Sequence, residues 1–392
     1  MLIVVKNTSV EINIAWKKLK KETRRIKNMT YNKRNREWWM KNKNDENKTV
    51  LGKINMKIHT IEFSKILTYE EYKSMTEYVY SQNQKCYKKM YAIIYTGMND
   101  KGIRLELYNH RVNDGAYYKL KYIITLGRYR KNNNYLELVE IRKAYNLLAE
   151  IGEYIKTQCE LLPLPNECNI TRIDLTKDIY VGDSIEYVIK LLNKSFTGYN
   201  CIPNYAEYKE NATFTKCSSK SRNKIFELSF YDKYEEMKHH IDSGNYYYDE
   251  DMLNQAKGIL RVEFRFYKIR IQGMKKSGNF KITEDLLNWL SKKSDEIIEK
   301  SLGKLYLRGA FYKLDRIKIE VAMSNFKTKT KEKMIKFIKL SALHKSSITA
   351  AEYFSEEYSE NDLKKIMKKF NEIGIIPTPI SVRQKFEEWS FM

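Results

Sequence analysis

In the stretch Ile170-Thr171-Arg172-Ile173-Asp174-Leu175-Thr176-Lys177-Asp178-Ile179, apolar and polar residues alternate from Arg172 to Thr176. Side chains two apart on a strand share a face. Ile173, Leu175 and Ile179 therefore look one way, and Arg172, Asp174, Thr176 and Asp178 look the other. Two further stretches repeat the pattern. Leu260, Val262, Phe264 and Phe266 form one side of Leu260–Phe266, with Arg261, Glu263 and Arg265 opposite; Phe226, Leu228 and Phe230 oppose Glu227, Ser229 and Tyr231. If these strands are neighbours, one open sheet face gathers carboxylates, arginines and a tyrosine. An antiparallel sheet with one solvated side gives the same alternation without chemistry.

Outward from these strands the chain reads as α+β around one mainly antiparallel sheet. Lys57 to Phe63 reads as a strand, and Thr68 with Glu71 makes a capping box opening a helix to about Ser81. Strands are expected at Tyr91–Thr96, Arg104–His110 and Tyr118–Thr125, then a helix from about Tyr135 to Thr157. After the strand at Asn169–Ile179 come a helix over Ser184–Leu192 capped by Asp183, a long polar loop, a strand at Lys224–Tyr231, a short helix and a strand at Leu260–Tyr267. Beyond about Lys281 the chain turns helical. Lys331–Leu343, Thr349–Ser355 (with Thr349 and Glu352 as a capping box) and Glu360–Ile373 have the spacing of a helix-turn-helix module, winged or not. Three divisions follow: a basic arm over 1–55, a sheet domain over 56–280 and a helical module over 281–392.

The 392 residues carry 72 Lys and Arg against 49 Asp and Glu, a formal charge of +23 that calls for a polyanionic partner, nucleic acid first. No apolar run approaches the roughly 18 residues of a membrane span, so a cytoplasmic protein is expected. Five scattered cysteines without CxxC pairing support neither a disulfide framework nor a zinc site. The arm is densest in charge at Lys17, Lys18, Lys20 and Lys21, and is expected to be disordered or to become helical on DNA. No Walker-type glycine-rich loop is present.

Three landmarks in order resemble the gene II family of phage and plasmid rolling-circle replication initiators: Ile170-Thr171-Arg172-Ile173-Asp174, Leu228-Ser229-Phe230-Tyr231-Asp232-Lys233-Tyr234-Glu235 and Leu260-Arg261-Val262-Glu263-Phe264-Arg265. Looser similarity runs from about Lys57 to Pro377. The resemblance implies the sheet fold of that family's nickases and an origin-specific endonuclease that joins Tyr231 to the new 5′ end, with Lys233 beside it. It places Asp174 and Glu263 near a metal, with Asp178 a further oxygen donor; such ligands suit Mg²⁺ or Mn²⁺. Arg172, Arg261 and Arg265 would contact DNA. Origin DNA, a host helicase and polymerase, and a second copy of the chain are the expected partners. A phenol is a weak nucleophile at neutral pH, so a nearby cation that favours phenolate is useful.

One departure stands out. Many such nickases carry a His-hydrophobic-His pair ahead of the tyrosine, and the five histidines here form none. His110 and the carbonyls of Asn133 and Asn134 are candidate replacements, and Tyr234 is a candidate second nucleophile. Two rival readings remain: a non-catalytic DNA-binding or copy-control protein of the same fold, and a conjugative relaxase.

Overall fold

β-branched and aromatic residues fill the strands of the chain and set its largest element, a ten-stranded sheet. The computed structural model describes residues 54–390 except 83–85, 113–114, 132–133, 199–200, 204–210, 219–222 and 243–249. The basic arm, with Lys17, Lys18, Lys20 and Lys21, and Asn133 lie outside the described residues.

Strand β1 (Lys57–Leu67) is followed by α1 (Tyr69–Ser81), which begins with the expected capping box: Glu71 N–H donates to Thr68 Oγ1 at 3.2 Å, and Thr68 N–H to Glu71 Oε2 at 2.8 Å. Next come β2 (Cys86–Lys89), β3 (Ala92–Tyr95), β4 (Ile103–Val112), β5 (Gly115–Thr125) and the short α2 (Leu126–Arg130). The helix expected from Tyr135 starts only at Ala144, as α3 (Ala144–Gln158). Upstream of it, Val139 is extended and exchanges both backbone hydrogen bonds with Ile58, at 2.7 and 3.0 Å, so pairing with β1 overrides helix propensity there.

β6 (Asn169–Tyr180) leads to α4 (Ile185–Asn193). Asp183 lies in a 3₁₀ turn between them and makes no capping bond. The segment expected as a polar loop contains β7 (Cys201–Pro203) and β8 (Asn211–Cys217). β9 (Lys224–Asp232), α5 (Lys233–Asp242), α6 (Glu250–Gln255) and β10 (Ile259–Tyr267) complete the large sheet, and α7 (Lys268–Gly278) and α8 (Thr283–Lys304) follow.

The strand order is β2-β3-β4-β5-β1-β6-β10-β9-β8-β7, with every pairing antiparallel. The three strands that opened the sequence reading are adjacent: Asp174 pairs with Arg265, Thr176 with Glu263 and Asp178 with Arg261, while Arg261 pairs with Tyr231 and Glu263 with Ser229. Register carries the alternation across the sheet. One face buries Ile61, Phe63, Leu105, Leu107, Leu120, Ile173, Leu175, Phe230 and Phe264. At one end α1 and the segment after α3 close over it, with Tyr78 donating to the Gln158 carbonyl at 2.6 Å and Tyr122 to the Pro163 carbonyl at 2.9 Å. The other face is polar.

Two glycines fix the end of the β6–β10 pairing. Gly182 and Gly258 have φ of 55° and 74°, and the Gly258 carbonyl accepts from Val181 N–H at 2.9 Å and Gly182 N–H at 3.2 Å. A Cβ on Gly258 would sit 2.8 Å from the Gly182 Cα, so neither the dihedral nor the space accommodates a side chain.

After β11 (Phe311–Tyr312), the helices α9 (Leu314–Met323), α10 (Thr328–His344), α11 (Ser347–Glu357) and α12 (Glu360–Glu372) pack around Phe337, Ile338, Phe354, Leu363 and Phe370, and β12 (Glu388–Trp389) pairs with β11. The cap of α11 is Ser346, which accepts from Thr349 N–H at 3.3 Å, one turn earlier than the Thr349–Glu352 box read from sequence. Phe196, just after α4, belongs to the same cluster, and its N–H donates to Ser347 Oγ at 2.7 Å. The described residues from Asn55 on form one compact unit. No helix among them is long and apolar enough to cross a membrane.

Candidate active site

Because paired residues share a face, the polar side of the sheet becomes a ladder of alternating charge. Arg104 meets Glu106 at 2.6 Å, Lys121 lies 3.7 Å from Glu106 and 3.1 Å from Glu62, and Glu62 pairs with Arg172. Arg172 grips Asp174 through Nε and Nη2 at 2.7 and 2.6 Å. Arg265 then reaches Asp174 at 3.9 Å, Glu263 at 2.6 Å and Glu227 at 2.9 Å, and Lys224 closes the run on Glu227 at 2.5 Å.

Tyr231 stands at one end of this ladder. Its hydroxyl donates to Glu263 Oε1 at 2.7 Å, while the other oxygen of Glu263 takes both Nε and Nη2 of Arg265, at 3.1 and 2.6 Å. The same Oε1 lies 3.4 Å from Nδ1 of His59. His59 arrives there through a β-bulge: β1 slips by one residue against β6 between Ile58 and Thr60, and the extra residue is His59. Its Nε2 and the hydroxyl of Thr176, the cross-strand partner of Glu263, are buried without a hydrogen-bond partner. Buried polar atoms left unpaired cost about 1–3 kcal/mol each, so this spot favours a polar ligand atom.

A roof covers this end of the polar face. Arg261, fully buried, holds Asp178 with two bonds of 2.7 Å and donates to the carbonyls of Tyr135 and Leu136 at 3.3 and 3.4 Å. Tyr135 in turn packs with Met237 of α5 and Ala256 after α6. Lys233, also fully buried, donates to Glu236 at 2.7 Å and lies 4.9 Å from the centre of the Tyr135 ring.

The electrostatics describe a resting site. Burial, then Glu263 and Glu236, hold the Tyr231 phenol well above its ordinary value against the pull of Arg261 and Arg265. Burial alone would raise Glu263, but Arg265, His59 and the Tyr231 hydrogen bond keep it an ionised carboxylate well below the usual range. Burial pushes His59 down to about 3 despite Glu263, so the ring is neutral at physiological pH. Burial and Arg261 push Lys233 down, with Glu236 opposing.

No protein-family model matches this chain, and no curated protein matches it.

Of the residues singled out from sequence, Tyr231, Glu263, Arg261 and Arg265 come together. Asp174 and Asp178 flank Glu263 on the neighbouring strand, each held bidentate by an arginine. Asp178 is held by the buried Arg261, Asp174 by the partly exposed Arg172, which also pairs with Glu62, and no group of three metal-ligating side chains occurs among the described residues. Lys233 faces Glu236 and the Tyr135 ring; the cations that act most on the phenol are Arg261 and Arg265. His110 sits on β4, four strands across from Glu263 (roughly 19 Å) and near the opposite end of the strands, a separation that rules out a shared ligand role. Asn134 is a turn residue whose side-chain oxygen accepts from Leu136 N–H at 2.8 Å. Tyr234 packs in the Tyr135–Met237 cluster under Lys257. His59 is the residue the sequence reading missed. Only the bulge turns it toward Glu263, and nothing in the order of residues announces that slip.

Proposed function

We propose that the chain is a rolling-circle replication initiator that nicks one DNA strand through Tyr231. The observation that carries this reading is the 2.7 Å hydrogen bond from the Tyr231 hydroxyl to Glu263, an ionised carboxylate shared with Arg265 and set beside a neutral histidine. The ordered resemblance of three sequence landmarks to initiators of that kind, and the +23 charge, point the same way.

The chemistry follows from these groups. Arg265 is partly exposed and is the charge that most lowers Glu263. A scissile phosphate that drew the Arg265 guanidinium onto its non-bridging oxygens would release Glu263 Oε2 and raise that carboxylate's proton affinity. Glu263 then takes the phenolic proton as the Tyr231 oxygen bonds to phosphorus. The bond from phosphorus to the 3′ oxygen breaks, and the same proton passes to that oxygen. The product is a 5′-phosphotyrosine ester and a free 3′ hydroxyl, and running the steps backward rejoins the strand without ATP.

A supercoiled plasmid carrying the DNA that flanks the protein's own gene provides the test, with Mn²⁺, Mg²⁺ and EDTA as separate arms so that the divalent ion implied by the resemblance is examined directly. Nicking is expected from the wild-type chain, with a loss of roughly 10²–10⁴-fold in Glu263→Gln. The second reading, a DNA-binding protein without cleavage, draws support from the arginine pairing of every carboxylate on this face and from the raised phenol. Binding of that DNA with no nick in any arm would establish it.

A further inference from the structure

At the far end of the same polar face the ladder gives way to aromatic rings. Tyr108 and His110 of β4 stack with centroids 5.3 Å apart and planes 11° apart; Tyr91 lies 5.7 Å from His110 and Tyr117 lies 6.3 Å from it on the other side. The register puts Tyr87 and Lys89 of β2 and Lys119 of β5 on this face as well. Tyr108, His110 and Lys119 are half-buried, but the rim is open: Tyr87 is 50 %, Tyr91 61 % and Met90 80 % exposed. Met90 and Tyr91 form the two-residue turn between β2 and β3, and Met90 has φ 48°, a conformation costly for a side chain of its size.

Charge accompanies the rings. Lys119 lies 4.5 Å over the Tyr108 ring and has no carboxylate within ion-pair distance among the described residues. Burial first, then the nearby Lys121 and Lys268, push its ammonium down against the opposing pull of Glu106 and Glu62. Exposed Lys88 and Lys89 stand at the edge.

We infer that this aromatic and lysine surface of β2 to β5 is a stacking platform for single-stranded DNA. Bases stack on Tyr91, His110 and Tyr117, and Lys119 and Lys89 take phosphates. Stacking suits any base because every base presents a flat π face, whereas a duplex hides those faces. The platform lies on the same face as Tyr231, five strands across (roughly 24 Å) and about the length of β1 further along the strands (roughly 35 Å), so a single strand joining the two would run obliquely over the sheet. This surface would hold single strands whether or not Tyr231 cleaves them.

The test therefore uses full-length Tyr231→Phe protein, which removes cleavage from the readout. Fluorescence anisotropy follows binding to an oligothymidylate of roughly 15 nucleotides and to a duplex of equal length. Tyr91→Ala and His110→Ala are each expected to weaken the single strand roughly tenfold and leave the duplex unchanged. Lys119→Gln should flatten the dependence of log affinity on log salt by about 0.7. In the unsubstituted platform, an oligonucleotide containing 5-iodouracil should crosslink to Tyr91 or Tyr117, a readout that does not depend on how any platform variant folds. Unchanged single-strand affinity in both ring variants, equal loss on duplex and single strand, or crosslinks confined to other surfaces would overturn the inference. Loss of nicking in the wild-type chain with these results intact would count against the proposed reaction alone.

Discussion

His59 is neutral because burial outweighs the attraction of Glu263, and that balance sets a pH dependence. An unfolded histidine titrates near 6.5, whereas the folded one is held down to about 3, so between those values the unfolded chain binds the extra proton. Stability is complete above pH 6.5 and falls as the pH drops toward 3. From pH 8 to pH 5 the loss attributable to His59 is about 2 kcal/mol. Glu236, held down to about 2, adds a loss of the same sign only below its ordinary range near 4.5, and Asp174, raised by burial, acts with the opposite sign, so the difference between wild type and His59→Gln above pH 5 gives the histidine's share. Urea unfolding at both pH values measures it, and His59→Gln should flatten the profile by that amount. A parallel fall in wild type and variant would mean that the ring is not buried beside Glu263. Nothing in the sequence around His59 distinguishes it from any strand residue; the bulge that aims it depends on the partner strand, which is a tertiary fact.

Strands were legible wherever one face is apolar and the other polar, because alternation encodes burial directly. The β6, β9 and β10 stretches fall where that rule puts them, and their adjacency follows from register that the two apolar faces share. β8 escaped notice because only two of the three side chains that Asn211-Ala212-Thr213-Phe214-Thr215 buries, Ala212 and Phe214, are apolar, against a polar majority, and its pairing partner β9 supplies the rest of its stability. The start of α3 was misplaced for a related reason, since Val139 satisfies its backbone on β1. Gly258 belongs to this scale too. It holds the β6–β10 register that sets Glu263 opposite Thr176, and Gly258→Ala is expected to cost about 1–3 kcal/mol through φ strain and collision with the Gly182 backbone. Thermal or denaturant unfolding checks it, and a neutral result would show that the glycine pair does not constrain this end of the sheet.

For the molecule as a whole, the two faces divide the labour. The apolar face supplies the core of the sheet, the C-terminal helices close a second core that includes Phe196, and the polar face carries a charge ladder from Arg104 to Lys224. Such a ladder contributes little net stability, because desolvation offsets attraction, yet removing one buried partner strands the other. It also keeps positive side chains ordered beside a hydroxyl and a carboxylate, an arrangement suited to a phosphodiester. Composition set only the expectation of a polyanionic partner; the hydrogen bond that joins Tyr231 to Glu263 was not legible, since it needs strands separated by roughly thirty residues to lie side by side.

The most direct test of that account is covalent. A 5′- and 3′-labelled single strand spanning the nick site is incubated with the protein, denatured and resolved, and the protein-linked fragment is digested and sequenced by mass spectrometry. The account predicts one adduct, a 5′-phosphate ester on the peptide containing Tyr231, lost in Tyr231→Phe while binding of the same strand persists. An adduct that survives in Tyr231→Phe, or that maps to another residue, would contradict it.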